Sequence, residues 1–176
     1  MPCKIVIGSS GIFQAGWIPT EIESLNVIKE NDWKRYVSPN EIDAMLAEHV
    51  WEHMTEQEGR KAAALCFRYL KPGGYIRVAV PDGLHPDRSY IEQVRVGGSD
   101  NNGHKVLYTY KTLGDVFTSA GFRVELLEYF DEQRTFHEKN WHVADGMIHR
   151  SKRFDGRNRD GVLRYTSLVL DAWKNA

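Results

Sequence analysis

Tyr69-Leu70-Lys71-Pro72-Gly73-Gly74-Tyr75-Ile76-Arg77-Val78-Ala79-Val80-Pro81-Asp82 joins the end of a helix to a strand. Upstream, Thr55-Glu56-Gln57-Glu58 supplies a cap with acidic residues in the first turn, and Ala63, Leu65, Cys66, Phe67 and Leu70 form an apolar helical face. Lys71-Pro72-Gly73-Gly74 stops that helix, because proline cannot continue it and glycine turns the chain cheaply. Tyr75 to Val80 is then a run of strand formers closed by Pro81-Asp82.

Outward from this junction, strand and helix patterns alternate. Lys4 to Gly8 is a short β-branched run ending in Gly8-Ser9-Ser10-Gly11, read as a buried strand feeding a turn. A second strand is expected near Trp17 to Ile22, a very short third one at Leu25 to Ile28, and a fourth over Ile42 to Ala47 after Ser38-Pro39-Asn40. Leu113 to Ala120 reads as a helix ended by Gly121, followed by a strand over Phe122 to Phe130 and a last apolar run, Tyr165 to Trp173. Pro86 to Asn102 is expected to be a long active-site loop, and residues 131–164 a polar, aromatic and basic insertion that covers the substrate. Alternation of this kind argues an α/β sheet with crossover helices, and the two late strands argue an antiparallel edge.

A chain of 176 residues with 41% hydrophobic content suits one compact domain over residues 1–176. Lys and Arg number 23 against 24 Asp and Glu, a net charge of -1, so no global field draws the protein to nucleic acid or an anionic membrane. A small-molecule partner is expected instead. Cys3 and Cys66 are far apart and lack metal-ligand spacing. They read as buried free thiols of a cytoplasmic protein. No apolar run approaches the roughly 18 residues of a membrane span.

The order of Ile5-Val6-Ile7-Gly8-Ser9-Ser10-Gly11, Gly16-Trp17-Ile18-Pro19-Thr20-Glu21-Ile22, Ala47-Glu48-His49-Val50-Trp51-Glu52-His53-Met54 and the Leu70–Asp82 run resembles the class I S-adenosylmethionine-dependent methyltransferases, in a shortened, type 11-like bacterial form. Gly103-His104-Lys105 and Ser119-Ala120-Gly121-Phe122 continue the likeness over nearly the whole chain. The resemblance implies a Rossmann-like α/β sheet, mostly parallel with an antiparallel closing strand, and S-adenosyl-L-methionine as cofactor. Pairing of the closing strands between two copies, a homodimer, is one open arrangement that a single sequence does not argue.

By the same resemblance, Gly8, Ser9, Ser10 and Gly11 bring backbone close to the cofactor, Glu21 takes the ribose hydroxyls, Asp32 and Trp33 meet the adenine, and Glu48 and His49 line the pocket. Two departures stand out. Val6 occupies the place of the usual carboxylate before the first glycine, so another group must hold the cofactor's amino group. The spacing from Gly8 to Glu21 is also too short for a full crossover helix, which shortens the first crossover to a loop or one turn.

Methyl transfer to oxygen or nitrogen calls on a base, and imidazole suits neutral pH. His104, which follows the expected lid and precedes Tyr108 and Tyr110, is the first candidate, with His53 beside it; His49 and His85 are further ones. Arg150, Lys152, Arg153, Arg157 and Arg159 form a local basic run that reads first as a solvated face, with binding of an anionic acceptor as the functional alternative. Two other readings remain. The fold serves as a non-catalytic cofactor-binding module, or His49-x-x-Glu52-His53 serves as the zinc motif of a hydrolase. The zinc motif needs a helix through both histidines, whereas this one directly follows a strand, so no metal ligands are assigned.

Overall fold

The computed structural model describes residues 2–99 and 103–176. All of its strands belong to one seven-stranded sheet with order β2-β1-β3-β4-β7-β5-β6, where β1 is Lys4–Ile7, β2 Ile18–Pro19, β3 Ile42–Glu48, β4 Leu70–Pro81, β5 Arg123–Phe130, β6 Phe136–Glu138 and β7 Ser167–Trp173. The pairs β1·β2, β1·β3 and β3·β4 are parallel, whereas β4·β7, β5·β7 and β5·β6 are antiparallel. The closing strand β7 is therefore internal, bonded on both edges, and the open edges are β2 and β6. An assembly through β7 has no free backbone to use.

The junction read first behaves as its chemistry dictates. Helix α2, Glu56–Tyr69, begins with a reciprocal capping box between Thr55 and Glu58 and passes directly into β4. Gly73 takes a left-handed φ of +79°, and a Cβ on Gly74 would lie 2.9 Å from the Asp43 carbonyl oxygen, so this stretch seats β4 against β3 only with glycines.

Among the described residues, α-helices cover one face of the sheet. Helix α1, Glu30–Tyr36, together with α2 and α4, Tyr110–Thr118, buries Trp33, Ala62, Ala63, Cys66, Leu113 and Phe117 against Ile5, Ile7, Met45, Val78 and Leu170. The opposite face carries Val6, Ala44, Leu46, Ala79, Leu127 and Val169, and its cover is irregular chain containing Trp141 and Ile148 together with Trp17. A buried cation fastens this cover. Arg77 of β4, 2% exposed, makes a bidentate pair with Asp171 of β7 at 2.8 Å for both contacts and donates to the carbonyls of His142 at 3.1 Å and Gly146 at 2.7 Å. The Trp141 ring lies 5.0 Å from its guanidinium carbon.

Several expectations need correction. Leu25 to Ile28 forms turns and irregular chain rather than a strand, β2 is limited to Ile18–Pro19, and Asp32 and Trp33 lie in α1. Pro86 to Asn102 contains helix α3, Arg88–Val94, whose cap is Asp87 accepting from the amides of Ser89 and Tyr90; positions 100–102 lie outside the described residues. The first crossover is a loop without a helix, as its length demanded.

At the carboxyl end of β4, the buried Asp82 ties two segments together by accepting from the amides of Phe130 at 2.8 Å and Leu84 at 2.9 Å. Burial pushes its carboxyl up to about 6 despite those bonds. The folded state thus binds this proton more tightly than the unfolded chain. The stabilisation is fully present below the ordinary carboxylate value and disappears as pH rises through about 6. The stability of the native protein relative to Asp82→Asn is therefore expected to fall between about pH 4 and pH 7, by at most about 3 kcal/mol. Paired urea melts across that range check it, and a flat difference would refute it.

Candidate functional site

The carboxyl ends of β1, β3 and β4 open into a cavity of about 620 Å³. Open α/β sheets place ligands there, because strand ends leave backbone groups and loops free. Its floor is Val6, Leu46 and Pro81; its walls include Gly8, Ser9 and Ser10 on one side and Glu52, His53 and His104 on another. Tyr90, Gln93 and Val94 of α3 form a third side, and Met147, His149, Arg150 and Arg157 come from the irregular cover.

The glycine turn is conformationally demanding. Gly8, Ser10 and Gly11 have φ of +61°, +48° and +78°, and a Cβ on Gly8 would approach Val50 Cγ2 to 2.9 Å. Gly8 thus serves close packing between the ends of β1 and β3 as well as ligand approach. Glu21 accepts from the Ser9 hydroxyl and, at 3.4 Å, from the Gly11 amide. Its carboxylate braces the turn and is not on the cavity lining.

At the end of β3 the chain makes another left-handed step, with His49 at φ +57°. Such a conformation costs a non-glycine residue on the order of 1–3 kcal/mol, so surrounding contacts must impose it. Here they do. His49 Nε2 lies 2.8 Å from the Ser167 hydroxyl, and its Nδ1 lies 3.0 Å from Glu52 Oε1. Glu48 accepts from the amides of His149 at 3.0 Å and Arg150 at 2.7 Å, which anchors the cover to the sheet end.

Residues 51–53 then form a single 3₁₀ turn. His49 and His53 consequently do not share an α-helical face, and the zinc motif lacks its helix. The turn carries Glu52 inward, 1% exposed, and leaves His53 exposed. Neither carboxylate oxygen of Glu52 has a hydrogen-bond partner among the described residues, since the His49 approach lacks hydrogen-bond alignment. His104 Nδ1 donates to the Val94 carbonyl at 2.7 Å, which in the neutral ring selects the tautomer whose Nε2 is the acceptor. The His53 and His104 rings meet edge to face at 5.1 Å.

The structure thus brings Gly8, Ser9, Ser10, Glu48, His49, His53 and His104 to one cavity. It does not bring the expected adenine pair there. Trp33 is fully buried, stacked on Tyr69 at 5.1 Å with its indole donating to the Val27 carbonyl, and Asp32 accepts from the Asn26 amide at 3.0 Å. The helical setting of α1 turns the indole into the core. Gly11 belongs to the turn but not to the lining. Tyr108 is buried beside Gly59, and Tyr110 donates to Glu132, so neither shapes the cavity. His85 packs between Tyr90 and Phe130, where burial holds its imidazole below the usual value.

Sequence reasoning missed Met147, His149, Tyr90 and Gln93 as lining residues. Arg150 and Arg157 were visible as members of the basic run. Arg157 pairs with Asp155 and lies 3.4 Å over the Tyr165 ring, so it is oriented rather than freely solvated.

No protein-family profile matches the chain. No curated protein matches it in sequence either. Among solved structures, an S-adenosylmethionine-dependent methyltransferase from Archaeoglobus fulgidus superposes with a TM-score of 0.56 and 14% identity, over 98% of this chain and 86% of that one. A Thermotoga maritima methyltransferase described as a possible histamine N-methyltransferase gives 0.55 at 14% identity, over 99% and 83%. Phosphoethanolamine N-methyltransferase 2 of Haemonchus contortus, solved with S-adenosyl-L-methionine, gives 0.52 at 13% identity over all of this chain and 49% of that one. At these identities the likeness establishes the fold, which is that of the class I S-adenosylmethionine-dependent methyltransferases.

Proposed function

We propose that this chain transfers a methyl group from S-adenosyl-L-methionine to a small-molecule acceptor. The observation that carries the reading is the cavity at the strand ends, which joins the left-handed Gly8–Gly11 turn to Glu48, His49, His53 and His104 on this fold. Its volume of about 620 Å³ falls within the ordinary range for cofactor and substrate sites. When bound, the cofactor supplies an electrophilic methyl carbon on a positively charged sulfur.

The residues fit the cofactor's polar end better than its adenine. Close approach at Gly8 and Ser10 suits the amino-acid portion. The Ser9–Glu21 contact holds the turn in shape, so Glu21 acts on the ribose side by bracing and by whatever lone pairs remain on it.

His104 and His53 are assigned to the activation of the acceptor. The Val94 carbonyl holds the His104 Nδ1 at 2.7 Å and so orients the ring, and in the neutral tautomer Nε2 is the nitrogen left as acceptor. Arg150 and Arg157 on the rim favour an anionic acceptor, as with the phosphorylated substrate that the Haemonchus protein's name implies. The free thiols Cys3 and Cys66 support a reducing, cytoplasmic setting, and no helix of the described residues is long and apolar enough to cross a membrane.

Calorimetric titration with S-adenosylhomocysteine tests the reading. One site per chain with micromolar affinity is expected. Absence of binding would remove both catalysis and the alternative of a non-catalytic cofactor-binding module, whereas binding without turnover on any phosphorylated or hydroxylated acceptor would favour that module.

A further inference from the structure

Glu52, His53 and His104 each offer one ligand atom, and these atoms all lie within 4.8 Å of one another. They come from the 3₁₀ turn after β3 and from the segment after α3, two parts of the chain joined by the amide of Lys105 donating to the Glu52 carbonyl at 2.7 Å. From this juxtaposition we infer that the cavity holds a first-row divalent cation on Glu52, His53 and His104, and that the acceptor's oxygen completes its coordination.

Three features carry the assignment. A buried carboxylate with neither oxygen hydrogen-bonded and only the His49 ring nearby is costly, and a cation removes that cost. The tautomer of His104 is fixed by the Val94 carbonyl, which is how ligating histidines are commonly oriented. Two imidazoles and one carboxylate with remaining positions open toward a cavity suit zinc, manganese or iron(II) better than magnesium or calcium, which prefer all-oxygen shells.

The ligand atoms of a zinc site stand about 3.3 Å apart, from bond lengths of about 2.0–2.1 Å. Exposed His53 can rotate inward to close the difference. His49 Nδ1, 3.0 Å from Glu52 Oε1, positions the carboxylate from behind. The arrangement differs from the His49-x-x-Glu52-His53 zinc motif, since His49 is turned to Ser167 and His104 takes its place.

The ion's role rests on the methyl-transfer reading; the site itself does not. A hydroxyl bound to the ion loses its proton to solvent more readily, because the cation stabilises the oxyanion. The oxygen lone pair then forms the O–CH₃ bond while the C–S bond breaks, and its electron pair returns to sulfur, leaving a neutral thioether.

The test uses tag-free full-length protein freed of metal by chelator, titrated calorimetrically with Zn²⁺ and with Mn²⁺. Native protein and His137→Ala, a control on β6, are expected to bind one ion, whereas His104→Ala loses affinity by about 100-fold. Because His104 is only partly buried, this variant keeps its fold, which circular dichroism checks; Glu52→Gln serves as the second variant with the same expected loss. No binding to native protein, or equal binding by His104→Ala, overturns the site. S-adenosylhomocysteine is titrated into the same samples. Ion binding without cofactor binding sinks the methyl-transfer reading and leaves the site. Mutual exclusion of the two means that Glu52 holds the cofactor's ammonium, and the ion assignment fails.

Discussion

Replacing Arg77 with Met is expected to lower the unfolding free energy by about 3–5 kcal/mol. The guanidinium satisfies four acceptors at once in a nearly water-free place, namely both oxygens of Asp171 and the carbonyls of His142 and Gly146. Its loss strands a buried carboxylate and frees two carbonyls. Burial already pushes the Asp171 carboxyl up, with Arg77 opposing that shift. Without Arg77 the carboxyl rises further, so the folded state gains from protonation at low pH and loses that gain as pH increases. The damage of Arg77→Met should therefore grow from pH 5 to pH 8. Adding Asp171→Leu should restore part of the stability, because exchanging a buried pair for apolar groups is often neutral, but not all of it, since the carbonyls stay unpaired. Urea unfolding of native, single and double variants reads all of this. A loss under 1 kcal/mol for Arg77→Met would show that water replaces the guanidinium.

His104→Ala is expected to reduce turnover about 10²–10⁴-fold, whether its nitrogen takes a proton or holds an ion. S-adenosylhomocysteine affinity should change by less than about threefold, since no hydrogen bond links His104 to the Gly8–Gly11 turn among the described residues. Single-turnover assays on a panel of phosphorylated and hydroxylated acceptors read the first quantity and calorimetric titration with S-adenosylhomocysteine the second. Retained turnover would take His104 out of the chemistry, and a parallel fall in affinity would make it part of the cofactor's seat.

Local chemistry was readable in the sequence, and long-range partnership was not. The Thr55 cap, the glycines at 73 and 74, the strands on either side and the glycine turn after β1 depend on neighbours a few residues away. Glu48 and His49 line the cavity at the end of β3, a position that a strand's carboxyl end fixes from local sequence. Trp33 misled, since Lys29 precedes α1 without a side-chain cap and gives no helical signal. Helix α3 was legible in principle from Asp87, whose capping role was overlooked within a stretch taken for loop. Arg77 looked like an ordinary strand residue because its partner lies 94 positions away. Met147 and His149 had no periodicity to betray them, as irregular chain carries none.

The unhelical face has an evolutionary corollary. In a sheet covered by helices on both sides, the loops that touch a substrate vary without disturbing the walls behind them. Here Met147, His149 and Arg150, which face the cavity, are neighbours in sequence of Gly146 and Ile148, which seal the sheet. A change of acceptor and a change of stability are therefore inherited together. Diversification of this protein's chemistry should proceed through pairs of substitutions, one altering the rim and one repairing the seal beneath it.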